Sequence, residues 1–312
     1  MVSFVDKLIG LYHFLSDRAP KNIPLVDPKP RPFNPWRRDS QVLVSKVLVN
    51  GDIRACLHRS LALLGNLEQV IARGDRILVK PNFNSPDPFP GSTDLAFLSA
   101  VLEFLLEAGA KVTVGESSGG IWRPTKKVFR KLGMVELMRH LGVELIAFDE
   151  VDDWVKVRIG GDYLDTVTVP RLVYEADKIV YLPCLKTHNL ARFSGALKLA
   201  MGFVHPGERR AFHVRFLEQK VAEISLCWQP NLIIMDGRKA FVAGGPDKGQ
   251  LAEPGLLLAS GDLVAIDVEA MKVILAYQAK NRLETDSWHS LQIVTALKHG
   301  LGAGKGGYIV VE

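Results

Sequence analysis

With 312 residues, 47% hydrophobic and 23% charged, the chain has the balance of a folded protein with a sizeable core and not that of a disordered one. Its 39 basic and 34 acidic residues leave a formal charge of +5, which permits an anionic small molecule and does not demand nucleic acid. Cys56, Cys184 and Cys227 are odd in number, far apart and without a CxxC pair, which argues against a disulfide framework and for a reducing, cytoplasmic setting.

The N-terminus lacks a signal peptide's pattern, because Asp6, Lys7 and His13 interrupt its apolar stretch. No run of about 18 apolar residues predicts a transmembrane segment. Phe4, Leu8, Leu11, Tyr12 and Leu15 fall on one helical face. That stripe is expected to pack on the chain's own body, with a membrane surface or a partner subunit as the other choices. Pro20, Pro24, Pro28, Pro30, Pro32 and Pro35 then favour an extended connector. Residues 1–40 therefore read as a helical arm and a Pro-rich linker, a layout that suggests a homo-oligomer exchanging arms. Residues 41–312 read as an α/β domain.

Within that domain strands and helices alternate. Residues 42–49, 76–80, 111–115 and 143–148 predict strands, and 52–71, 95–108 and 126–141 predict helices between them. Residues 154–159 and 166–169 look like paired strands. Buried strands are expected at 178–182, 232–235, 255–259 and 308–311, and helices at 194–201, 216–226, 265–277 and 288–300. The class is α/β, a mainly parallel sheet with helices on both faces. The order also allows two similar α/β halves divided near residue 150.

The chemistry gathers where apolar strands end, which is where open parallel sheets bind ligands. Lys80 and Asn82 follow one strand, Glu116-Ser117-Ser118-Gly119-Gly120 a second, Lys186-Thr187-His188 a third, and Asp236-Gly237 a fourth. Lys80 and Lys186 can hold a carboxylate or phosphate, or act as bases once desolvated. His188 and His213 can shuttle protons or bind a metal. Asn82, Ser117, Ser118, Thr187 and Lys198 are expected to contact the anion, the serine–glycine loop through its backbone N–H groups. Glu116, His188, His213 and Asp236 make a mixed N/O set for a divalent metal. Arg209 and Arg210 could clamp a phosphate or carboxylate but read first as a solubilised mobile turn, and Arg123, Lys126, Lys127, Arg130 and Lys131 read as a solvated helix face without the aromatic platform nucleic-acid binding needs.

The ordered motifs ILVKPN (77–82), VGESSG (114–119), LPCLKTH (182–188), GALK (195–198), the single His213, IIMDG (233–237) and LLASGDLVAID (257–267) resemble the family called domain of unknown function family 362. The resemblance spans roughly residues 42–312 and implies an α/β fold with a site built from Lys80, Asn82, Glu116, Lys186, His188, Lys198, His213 and Asp236. Many relatives carry a ferredoxin-like iron–sulfur segment. This chain has no CxxCxxC run, so no iron–sulfur cluster is expected in it. The residues point to an enzyme acting on a small carboxylated or phosphorylated substrate, with or without a metal. The alternative is a non-catalytic carrier of an anionic cofactor, which would use the same lysines.

Overall fold

The computed structural model describes residues 4–65 and 67–312. One large sheet organises them. Its main path runs Tyr308–Val311, Gln41–Leu48, Leu256–Ser260, Leu232–Gly244, Lys178–Tyr181, Arg76–Lys80, Lys111–Glu116, Glu144–Ala147. The last five strands of that path run parallel to one another, and Tyr308–Val311 runs parallel to Gln41–Leu48. Leu256–Ser260 is antiparallel to the strands on both its sides, so the sheet is mixed. Five of the seven pairings along that path are parallel and two antiparallel, so the expected parallel order is interrupted at one strand. Among the described residues no two matching halves divided near residue 150 are seen: Lys178–Tyr181 pairs directly with Arg76–Lys80 and with Leu232–Gly244, so one sheet runs through that point.

Successive residues of a strand point to opposite faces. Ile77 and Val79 therefore enter one hydrophobic core while Leu78 enters the other, and Leu232 and Ile234 separate from Ile233 and Met235 in the same way. Both faces are covered by helices, which is why these strands read as continuous apolar runs. On one side lie Ile53–Leu64 and Leu95–Glu107, each started by an aspartate: Asp52 accepts from the amide of Arg54, and Asp94 from that of Phe97. Leu263–Leu275, capped by Asp262, covers the other side.

Several elements differ from their expected limits for visible reasons. The 126–141 helix is two helices, Thr125–Lys131 and Met134–Leu141, because Gly133 adopts φ 78° between them. The 232–235 strand continues to Gly244, because its second half acquires its own partners at Gly249–Ala252 and Cys184–His188. Residues 206–212 form a helix instead of a mobile loop: Pro206 opens it, and His205 Nδ1 accepts the Gly207 amide. In the linker, Leu25–Val26 adds a third strand to the 154–158 and 166–170 pair.

The N-terminal helix, Phe4–Ser16, packs on residues 120–122 and on Pro206–Phe212. It does so through Gly10, where a β-carbon would stand 1.9 Å from the Ile121 carbonyl oxygen. The expected apolar stripe is not the packed face: Leu8, Leu11, Tyr12 and Leu15 are exposed, Tyr12 to 68%. The side chain of Phe4 lies outside the described residues.

Candidate functional site

A cavity of about 630 Å³ opens beyond the ends of the Arg76–Lys80 and Lys111–Glu116 strands. Lys80, Asn82, Glu116, Ser117, Lys186 and His188 line it, as do Lys198 and His213. Ser118, Thr187 and Asp236 do not. The sequence brings most of its polar strand ends to one place and sends three candidates elsewhere.

Lys80 and Glu116 end adjacent parallel strands and meet as a buried ion pair, Nζ to Oε2 at 2.5 Å. Lys80 also donates to the Pro81 carbonyl at 2.8 Å. Glu116 Oε2 accepts the Phe83 amide and Oε1 the Ser117 amide. Burial pushes the Lys80 amine down, and Glu116 pulls it back up. Gly202 makes room for the pair, since a β-carbon there would stand 2.5 Å from Glu116 Oε1 and 2.7 Å from Lys80 Nζ.

The serine–glycine loop is not the anion cradle expected of it. The Ser117 amide is spent on Glu116, the Ser118 amide on Thr125 Oγ1 and the Gly119 amide on the Asn84 carbonyl. The Ser118 hydroxyl donates to the Phe83 carbonyl. The loop is a satisfied wall, and the positive charge of the site comes from side chains.

Those side chains sit on short elements with defined facing. Lys186 and His188 alternate along the Cys184–His188 strand and so share its cavity face. Thr187 points away and donates to the Phe241 carbonyl. Lys186 Nζ is buried and donates to the Gly91 carbonyl at 2.6 Å. Lys198 rides on the Ala196–Leu199 helical turn, whose Ala196 and Leu197 amides are held by Asp267 at 2.6 and 3.0 Å. Among the described residues the Lys198 ammonium has no hydrogen-bond or ion-pair partner. Desolvation, reinforced by Arg209, Lys186 and Lys80, pushes its amine down to about 8.

The two histidines are set in opposite tautomers. His188 Nδ1 accepts the Leu190 and Ala191 amides, so its proton is on Nε2. His213 Nδ1 lies 2.6 Å from the Arg209 carbonyl, which can only accept, so its proton is on Nδ1 and Nε2 carries a lone pair. Desolvation holds both neutral: His188 is pushed down to about 2 and His213 to about 4, with Lys198 the next contributor in each case. One ring is therefore a donor at Nε2 and the other an acceptor. A metal at His188 would need a lone pair where this geometry puts a proton.

Asp236 lies outside the cavity and accepts from the Arg238 amide, Nε and Nη2, with Arg238 bridging on to Asp94. The expected metal set of Glu116, His188, His213 and Asp236 does not converge. Among the described residues, the group whose ligand atoms all lie within 4.8 Å is Asp162, Glu223 and His299, a cluster that can hold a metal ion. It is built around the Asp162–Leu164 turn, whose amides donate to the buried Glu223. None of the three lines the cavity.

Arg209, whose second reading from sequence is an anion clamp, lines the site, as do Arg123 and Asn84, for which the sequence gives no such signal. Arg209 is buried and donates to the Ser117 carbonyl at 2.9 Å and its hydroxyl at 2.5 Å. Its spacing of four from His213 is the sequence signal for a shared helix face, legible once Pro206 is read as a helix start. Arg123 is buried and ion-paired with Asp17 of the arm, not part of a solvated basic face.

A family model described as Domain of unknown function (DUF362) matches residues 77–272. The thylakoid-associated protein sll1697 of Synechocystis sp. is 29% identical over 228 residues, which cover 70% of this chain and 68% of that protein. Among solved structures, the lactate racemase apoprotein from Thermoanaerobacterium thermosaccharolyticum aligns with TM-score 0.42 and 13% identity; the alignment covers 80% of this chain and 60% of that one. No described helix is long and apolar enough to cross a membrane.

Proposed function

The chain belongs to the DUF362 family, and from that premise we propose that it is an enzyme acting on a small carboxylated or phosphorylated compound by proton transfer in the Lys186–Lys198–Arg209 cavity. The observation that carries this reading is the pair of neutral imidazoles with opposite tautomers facing one cationic pocket. Lys186 and Arg209 attract the anionic group. His213 Nε2 accepts the substrate proton, and the His188 Nε2–H stabilises the charge that develops as it leaves. A carrier protein would need the cations alone. Ile121, Trp122 and Leu199 give the rest of the ligand an apolar wall.

The test is solvent deuterium exchange into a panel of small carboxylic acids and phosphate esters, followed by NMR, with binding measured separately by calorimetry. Exchange lost in His213→Asn with binding kept supports the enzyme reading. Binding unaccompanied by exchange across the panel favours the carrier.

A second reading concerns place and not chemistry. The helix Phe4–Ser16 leaves Leu8, Leu11, Tyr12 and Leu15 exposed, and the relative in Synechocystis is described as thylakoid-associated. We propose that this helix rests on a membrane surface, its apolar side in the interface. Flotation of the protein with anionic vesicles, lost in Leu11→Glu/Leu15→Glu, is the expected result. No flotation together with dimerisation that the same changes abolish would assign the stripe to a second copy instead.

A further inference from the structure

We propose that Lys198 is a covalent catalytic residue, its amine adding to the carbonyl carbon of an anionic aldehyde or ketone in the cavity to form an imine. The proposal rests on the anion-binding reading of the same site and names its substrate class.

Three lysines line the cavity, and their partners separate them. Lys80 is committed to Glu116 and the Pro81 carbonyl, and Lys186 to the Gly91 carbonyl. Lys198 has no such partner among the described residues. Its position is nonetheless fixed, because Asp267 grips the start of its helical turn and Gly195 allows that grip: a β-carbon on Gly195 would stand 2.2 Å from Asp267 Oδ1. A held amine without a counter-ion, beside Arg209 and Lys186, favours its neutral, nucleophilic form, and its depressed pKa of about 8 agrees.

The neighbours supply what imine formation needs. Arg209 and Lys186 hold the carboxylate or phosphate. The Nζ–C bond forms as the carbonyl π pair moves to oxygen, with the His188 Nε2–H donating a hydrogen bond to that oxygen. The His213 lone pair takes an amine proton and passes it to the oxygen, giving the carbinolamine. The nitrogen lone pair then closes the C=N bond as the C–O bond breaks, and the second amine proton leaves by the same route. Amine and carbonyl give imine and one water, with nothing oxidised or reduced.

The experiment is competitive reductive alkylation of the full chain at neutral pH, with limiting formaldehyde and sodium cyanoborohydride and peptide mapping by mass spectrometry. Lys198 is expected to react about ten-fold or more faster than Lys280, an exposed lysine outside the cavity. Replacing formaldehyde by glyoxylate, the smallest oxo acid, is expected to widen that ratio, because its carboxylate is held. A Lys198 rate no greater than that of Lys280 overturns the proposal. A fast Lys198 with the same ratio for both reagents keeps the imine and overturns the anionic substrate class, so the two readings fail separately.

Discussion

Asp267 and Gly195 are in such close contact that the carboxylate fills the space a glycine side chain leaves empty. Asp267 is far from Lys198 in sequence and starts no chemistry, yet it sets where the Lys198 turn begins. Gly195→Ala is expected to push the turn off the carboxylate. Asp267→Ala would leave two buried amides without an acceptor, a loss of about 2–5 kcal/mol. Thermal unfolding measures the loss. The alkylation rate of Lys198 in the milder Asp267→Asn variant, which can still accept one amide proton, measures the displacement.

The buried Lys80–Glu116 pair is a second point of sensitivity. Lys80→Met removes the ammonium and leaves a buried carboxylate, a loss of roughly 3–5 kcal/mol. Adding Glu116→Gln is expected to recover part of it, since the amide oxygen still accepts one backbone N–H. A double-mutant cycle by denaturant unfolding reads the coupling, and additive losses would contradict a direct pair.

Arg238→Ala is expected to destabilise the protein by about 3 kcal/mol or more, because Asp236 is fully buried and Arg238 supplies its charged donors. Ligand affinity of the folded variant is expected to be unchanged, as neither residue reaches the cavity. Calorimetric titration with an anionic ligand checks this. A large loss of affinity would return Asp236 to the site.

Acid stability follows from the buried imidazoles. His205 and His213 are both pushed from 6.5 down to about 4, chiefly by desolvation. The folded pKa lies below the unfolded one. Between those values the unfolded chain takes up protons that the folded chain refuses, so stability falls as pH drops from about 6.5 to about 4 and is flat above that window. Each histidine contributes up to about 3 kcal/mol to the fall. Denaturant midpoints across that range, compared with those of His205→Asn and His213→Asn, are expected to show a shallower slope in each variant.

The strands of the main path were legible as short apolar runs, as in Ile77-Leu78-Val79 before Lys80, whereas Cys184–His188, Arg192–Ser194 and Gly249–Ala252 were not expected as strands. The helix split at Gly133 and the second half of the Leu232–Gly244 strand were not legible, since the first depends on one residue's left-handed φ and the second on partners distant in sequence. Lys80, Lys186, His188, Lys198 and His213 were readable by their place after strands or in the family motifs. Their roles were not. Which lysine is spent, and which histidine nitrogen carries the proton, depends on backbone carbonyls and amides that no side-chain motif records. Arg209 ranked below its neighbours as an anion contact for a related reason: two adjacent arginines close after Pro206-Gly207 look like a wet turn until the burial of one is known.

The Asp17–Arg123 contact links the arm to the electrostatics of the mouth. While the arm is seated, its carboxylate cancels a guanidinium on the wall. The leucines that face outward are free to meet another surface without lifting the arm, so that carboxylate would stay in place on attachment. Were the arm to come away from residues 120–122, the guanidinium would lose its counter-charge and pull harder on an incoming anion, an effect that salt would weaken.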